Sequence, residues 1–197
     1  MVTERALDAD ALLMAQVCRG DERSFELLLA RHRAAVASHL FRMVHDRAIA
    51  EDLAQEVFLR VYRSRNRYQP QAKFTTWLFR ITTNVALNWR RDTRREAVHL
   101  RLDAEPRDHP QLELWDQSPR ADQRLIAKAY ARQIRAAVET LPAKQLAAVL
   151  MHKYQGMDYA QIAEVLDCSL PALKSLLFRA YATLRRRLAQ SDPARAA

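Results

Sequence analysis

DYAQIAEVLDCSLPALKSLLFRAYATLRRRL, residues 158–188, is the stretch that decides the fold. Asp158 stands where a helix N-cap stands, ahead of a short helical run that ends at Leu166. Asp167-Cys168-Ser169 interrupts it, and Asp tolerates the left-handed backbone better than most non-glycine residues. Ser169 is placed to cap a second helix, and Pro171 falls in its first turn, where a missing N–H costs little. Leu173, Leu177, Ala180, Leu184 and Leu188 recur at helical spacing and form one apolar stripe. Lys174, Ser175, Phe178 and Arg179 lie on the opposite face. Ala163 is small where the two helices must approach. These are the proportions of a helix-turn-helix, whose second helix fits a DNA major groove with its N-terminal half against base edges. The rival reading is an ordinary helical hairpin. Arg185, Arg186 and Arg187 either neutralise phosphates or offset a helix C-terminal dipole.

Upstream, Leu141-Pro142 starts a helix carrying Leu146, Val149, Leu150 and Tyr154, which Gly156 ends as a C-cap glycine would. A further helix is expected from about Gln123 to Thr140. Residues 102–122 hold three of the seven prolines, Pro106, Pro110 and Pro119, with Trp115 among them. Proline removes backbone donors and biases its predecessor away from helix. This stretch reads as an extended linker, and Trp115 either docks on a partner or packs on its own domain.

Before the linker the sequence is again helical in composition, rich in Ala, Leu, Arg, Glu and Gln. Asp8 or Asp10 can cap a first helix holding Leu12, Leu13 and Met14, and Gly20-Asp21 breaks it. A second carries Phe25, Leu28, Leu29, His32, Val36 and Leu40 on one stripe. Asp46 precedes a third, through about Tyr62, with Leu53, Val57, Phe58 and Val61 inward. Thr75 or Thr76 opens a fourth, through about Arg95, with Leu78, Ile81, Val85 and Trp89 at helical spacing. No strand-like alternation competes. The fold class is all-α: two helical domains joined by an extended acidic linker, the second containing the helix-turn-helix. The boundaries fall at 1–101, 102–122 and 123–197.

Charge follows the same division. The 197 residues carry a net +9. Residues 1–101 balance at +6, the linker at −4 and residues 123–197 at +7. Two basic blocks flanking an acidic strip point to a polyanionic partner. Gly20 and Gly156 are the only glycines, which excludes a Walker loop and a dinucleotide-binding fingerprint. Cys18 and Cys168 form no CxxC pair, against a disulfide framework or a thiolate zinc site. The charged start and the lack of any long apolar run predict a protein without membrane insertion, in the cytoplasm. The six His are scattered. His32, His39 and His45 lack metal-binding spacing and are expected on helix surfaces or rims. No catalytic set emerges, so no enzyme and no cofactor are expected.

Two more constellations carry chemistry. Phe74 to Arg95 interleaves aromatic and basic residues with Asn. Aromatics such as Trp77 can stack on unpaired bases, Asn84 can read a base edge, and Arg80, Arg90, Arg91, Arg94 and Arg95 can hold phosphates. Phe79 and Trp89 fit a core better. In Asp46–Arg60, Asp52, Gln55, Glu56 and Arg60 share one polar face, which by pattern alone is a solvated surface.

In order and spacing, these motifs resemble a bacterial sigma-70-family factor of the extracytoplasmic-function group. A-E-D-L-A-Q-E-V-F-L-R-V-Y, within 50–62, looks like the family's polymerase-gripping helix. F-x-x-W-L-x-R-I-x-x-N, Phe74 to Asn84, looks like its −10 melting segment. L-P-A-K-Q-L-A-A-V-L at 141–150, followed by Y-x-Q-I-A-E-V-L-D-C-S, looks like its −35-binding domain. The resemblance implies core RNA polymerase (β′ clamp and β flap), promoter DNA and an anti-sigma factor as partners. It places Asp52, Gln55 and Glu56 on the β′ clamp. Phe74, Trp77, Arg80, Asn84, Arg90 and Arg91 go to −10 DNA, and Lys174, Ser175 and Arg179 to the −35 groove. The loop Tyr68–Lys73 would hold a flipped base, Arg94 and Arg95 would follow duplex phosphates, and the linker would thread toward the active cleft. The last helix departs from the family's G-T-V-[KR]-S-R-L: it has Pro171, and Leu176 where an arginine is usual at the DNA face, so either the −35 preference is unusual or weak or Leu176 faces a partner protein. Two rival readings remain on sequence alone, a free-standing dimeric helix-turn-helix regulator and a helical adaptor without DNA binding.

Overall fold

The computed structural model describes residues 8–69, 73–100 (side chains to 95) and 133–190, and every regular element in them is helical. In order these are α1 (Ala9–Cys18), α2 (Glu22–Val44), α3 (Arg47–Arg63), a 3-10 turn (Arg65–Arg67) and α4 (Phe74–Leu100). Then come α5 (residues 133–139 as far as described), α6 (Ala143–Tyr154), α7 (Tyr159–Val165) and α8 (Leu170–Gln190). The acidic stretch 102–122 with Trp115 lies outside the described residues, as does the expected helix start near Gln123.

Local chemistry sets most boundaries. Asp8, Asp21, Asp46 and Asp158 each accept a backbone N–H of the helix they precede. Each such cap contributes about 1 kcal/mol. Asp158 and Gln161 cap each other reciprocally, at 2.8 and 3.0 Å. Gly156 sits at φ 60 just after α6, and Asp167 at φ 51 just after α7. The left-handed turn at Asp167 lets Cys168 N–H reach the Ala163 carbonyl at 3.0 Å.

The start of α4 is a long-range matter. It begins at Phe74, before the expected Thr75 or Thr76, and its first N–H reaches Asp8 Oδ2 at 3.3 Å. One carboxylate therefore serves the N-termini of both α1 and α4. Thr76, one of the expected openers, is buried instead.

α1 to α4 pack around Met14, Leu28, Val36, Leu40, Val57, Phe74 and Leu78. α6 to α8 pack around Leu146, Met151, Ile162, Leu173 and Leu177. The two groups share one continuous core, because α4 lies against α6 and α7, and α2 against α6. Thr83 on α4 is fully buried and points its hydroxyl at Met151 Sδ, 3.8 Å away. Arg42 on α2 covers the Tyr154 ring at 4.2 Å. Thr82 returns its hydroxyl to the Leu78 carbonyl at 2.9 Å, so this polar pair enters the interior without an orphaned donor.

The histidines correct the sequence reading. His32 and His39 are buried, at 8% and 1% exposure, because their apolar faces fall on the inner stripe of α2. His32 Nε2 meets Asp10 at 2.8 Å. His39 stands edge-on to Phe79, and neither of its ring nitrogens has a partner. Burial, with a smaller contribution from Arg42, pushes its pKa down to about 4. His45 ends α2 in the left-handed region.

Candidate nucleic-acid and protein interface

Three surfaces carry the residues singled out from sequence. The first is on α3. Asp46 fixes its start, and its inner face of Ala50, Ala54, Val57, Phe58 and Val61 is buried. The opposite rotation leaves Asp52 and Gln55 exposed. Glu56 is half-buried and bonded to Arg60 Nε at 2.6 Å, in the favourable acid-before-base order. Arg47 and Glu51 pair one turn earlier at 3.1 Å. Beside these groups α2 and α3 enclose a groove of about 550 Å³, floored by Phe25, Leu29, Phe58 and Leu59, with Glu51 and Gln55 at its rim. Leu59 is half exposed. Its polar lining is mixed, with Glu22, Glu26 and Arg33 on the α2 side and Glu51 and Gln55 on the α3 side.

The second surface is α4. Its outward stripe exposes Arg80, Asn84, Asn88, Arg91 and Arg95, successive at three or four residues. At 1.5 Å rise per residue the stripe runs about 22 Å. Asn84 opens into a hollow of about 500 Å³ lined by Arg60, Arg63, Ser64, Arg67 and Ile81. Four polar residues from the end of α3 and the 3-10 turn thus join Asn84. Sequence reading did not assign Arg63, Ser64 and Arg67 to this site. Their basic character was visible, but seventeen or more residues separate them from Asn84.

At the N-terminus of α4 the aromatics are less available than expected. Phe74 is a correction: at 1% exposure it offers no face to a base. It touches the His32, Tyr68 and Trp77 rings and props Trp77 from below. Trp77 is half-buried, 4.9 Å from Tyr68. Tyr68 is itself buried, and burial pushes its phenol up to about 12, so it stays neutral at ordinary pH. Residues 70–72 of the expected flipped-base loop lie outside the described residues. Arg90 is half-buried, and burial followed by the neighbouring Arg94 lowers its pKa, with Glu139 opposing. Arg91 is exposed and bonded to Asp92 at 3.1 Å.

The third surface is α8. Leu173, Leu177 and Ala180 are buried, and Lys174, Ser175, Phe178 and Arg179 face outward together. Ser169 Oγ accepts from Ala172 N at 3.4 Å. Arg179 Nε bonds the Ser175 carbonyl at 3.3 Å, which lays the guanidinium along the outer face. Leu176 is a second correction. It packs part-buried against the core rather than standing fully on the outer face. Phe178 is exposed on the outer face, at 72%.

The described residues hold no group of three or more His, Cys, Asp or Glu placed to bind a metal, and no helix long and apolar enough to cross a membrane.

Comparison with known proteins bears on these surfaces. Residues 28–96 match the family model for sigma-70 region 2, and residues 131–184 match that for sigma-70 region 4. The ECF RNA polymerase sigma-E factor of Haemophilus influenzae is 30% identical over 173 residues, covering 87% of this chain and 90% of that protein. The RNA polymerase sigma-H factor of Pseudomonas aeruginosa is 29% identical over 178 residues, covering 88% and 90%. In three dimensions the chain is similar to CnrH as seen in complex with the cytosolic domain of CnrY. The TM-score is 0.66 at 23% identity, over 94% of this chain and all of that one. It is similar also to the sigma factor RpoE of Bartonella quintana in complex with the anti-sigma factor NepR. There the TM-score is 0.65 at 18% identity, over 85% and 98%.

Proposed function

Since the chain belongs to the extracytoplasmic-function group of the sigma-70 family of RNA polymerase sigma factors, we propose that it binds core RNA polymerase and opens a promoter subset at the −10 element. The observation that supports this reading best is the exposed Asn84 facing a hollow rimmed by Arg60, Arg63 and Arg67. A single strand leaving a duplex needs a cationic track for its backbone and a polar side chain that reads a base edge, and both sit within one hollow. Melting costs unstacking, and each captured base returns roughly 1–3 kcal/mol where an aromatic stacks on it. Trp77, held from below by Phe74, is the aromatic nearest to this work; Phe74 itself acts by positioning.

Exposed Asp52, with Gln55 at the rim of the α2–α3 groove, would meet the β′ clamp, and Glu56 would be held back by Arg60. The α6–α8 module would meet the β flap. Lys174, Ser175 and Arg179, with Phe178, would enter the −35 major groove. Phe178 brings a ring for a thymine methyl where the family's arginine is replaced by an inward Leu176. Arg80, Arg91, Arg94 and Arg95 would follow phosphates. The domains are 1–101 and 123–197, with 102–122 as linker, and the site of action is the cytoplasm. The neighbours solved with a bound inhibitor support an anti-sigma partner for this chain too.

The test is Asn84→Ala. Permanganate reactivity of unpaired −10 thymines falls, while affinity for core polymerase stays within twofold of wild type. Equal loss of both removes Asn84 from base capture.

A further inference from the structure

Between the C-terminal half of α4 and the turn leading into α6 lies an open cleft of about 930 Å³. Its lining brings together Arg90, Arg91, Arg94 and Arg95 with Trp89 and Pro142. We propose that this cleft binds a nucleoside polyphosphate, and that the ligand holds the two helical halves in the arrangement seen here.

Among the described residues, four guanidiniums within six residues of one helix share the cleft lining with a single carboxylate, that of Glu139. Glu139 acts on Arg90 but forms no ion pair with it within 4 Å. Asp92 occupies Arg91 alone. Arg90 Nη1 is buried and has no hydrogen-bond partner, an orphaned charged donor that an inserted oxyanion would satisfy. The facing wall adds donors of its own. α6 begins at Pro142 with no side-chain cap, and Pro142 and Ala143 line the cleft, so uncapped first amides lie at its wall. Charge alone would suit any polyanion. Trp89, half-buried on the same lining with Met43, Leu87 and Leu141 behind it, adds a flat apolar surface for a base. The volume exceeds what inorganic phosphate needs and fits a nucleotide.

The walls belong to different halves of the molecule, α4 on one side and the α5–α6 turn on the other. A ligand spanning them binds only the closed arrangement and shifts the population toward it. This consequence rests on the promoter-recognition reading, because Arg91, Arg94 and Arg95 would there follow DNA phosphates. Ligand and promoter then compete for the same guanidiniums. The binding itself does not depend on that reading.

Titration calorimetry on the full chain at 150 mM salt, with ATP, inorganic tripolyphosphate and adenosine as probes, tests the site. ATP is expected to bind about tenfold more tightly than tripolyphosphate, the worth of one stacked base, and adenosine not to bind measurably. Arg90→Gln with Arg94→Gln weakens ATP at least tenfold, and Lys153→Gln, on the exposed far end of α6, leaves it unchanged. Circular dichroism on each variant establishes that the helices persist. Equal affinity for ATP and tripolyphosphate, or equal loss with Lys153→Gln, overturns the proposal as diffuse charge attraction. Binding that appears only after the six acids of 102–122 are neutralised overturns it as well, since the chain would then answer its own arginines. Calorimetry reads the site whether or not the chain opens promoters. A second arm measures promoter-fragment binding with and without ATP. Binding in the first arm with no competition in the second leaves the site standing and refutes only the regulatory consequence.

Discussion

His39 gives the sharpest test of the interior. It is 1% exposed, stands edge-on to Phe79 at 5.4 Å and has no partner for either ring nitrogen. Its pKa falls from an ordinary 6.5 to about 4, chiefly through burial and secondarily through Arg42. The charged imidazolium is therefore disfavoured in the folded chain. Between pH 6.5 and 4 the unfolded state binds the extra proton, so stability rises with pH across that window and is lost as pH falls through it. At roughly 1.4 kcal/mol per pH unit the loss amounts to about 3 kcal/mol by pH 4. His39→Leu deletes the titration while filling a similar volume. Urea unfolding followed by circular dichroism, at half-unit steps from pH 7.5 to 4, compares the two proteins. The carboxylates titrate in both and cancel in the difference. With a urea slope of about 2 kcal/mol/M, the wild-type midpoint should fall by about 1.5 M more than the variant's. Parallel curves would refute the claim that this histidine is buried neutral.

Other outcomes follow from the same geometry. Phe74→Ala should lower stability by about 3–5 kcal/mol, as expected of a fully buried aromatic, read from urea midpoints; a loss of promoter opening at unchanged stability would restore a direct role for the ring. Gly156→Ala should cost about 1 kcal/mol in a thermal melt. Nothing lies within 4 Å of the added Cβ, so that cost is the left-handed backbone alone, and an unchanged melting temperature would contradict it. Asp52→Ala should weaken core polymerase about tenfold, or about 1.4 kcal/mol, in a fluorescence titration. Its exposure predicts a stability change within about 0.5 kcal/mol, and an unaltered affinity would take Asp52 off the clamp.

What the sequence made legible is what local chemistry decides. Asp46 and Asp158 cap helices because their carboxylates reach amides three residues away. Asp167 turns left-handed because its short polar side chain tolerates that backbone, and Gly156 ends α6 in the same region because it has no Cβ to oppose it. The outward face of α8 follows from 3.6-residue spacing, which is why Lys174, Ser175 and Arg179 emerge together. What escaped was set by contacts between distant segments. Asp8 serves the start of α4 across 66 residues, so no neighbour of Phe74 advertised the boundary. Phe74 and His39 are amphipathic or aromatic residues whose burial depends on which helix lies opposite. Leu176 replaces the motif's arginine, and its part-burial depends on the helices packed against α8. Arg63 and Arg67 join Asn84 only because α3 and α4 pack side by side. The closed packing of α4 on α6 and α7, which creates the arginine cleft, has no local signature.

The central claim is that this chain lends core RNA polymerase a promoter specificity. Its most direct measurement is transcription of fragmented chromosomal DNA by core polymerase, with and without the purified chain, followed by sequencing of transcript 5′ ends. The account predicts a limited set of start sites that appear only with the chain, share upstream sequences near −10 and −35, and are lost with Asn84→Ala. Identical 5′ ends in both reactions, from a chain that is folded and free of inhibitor, would contradict it.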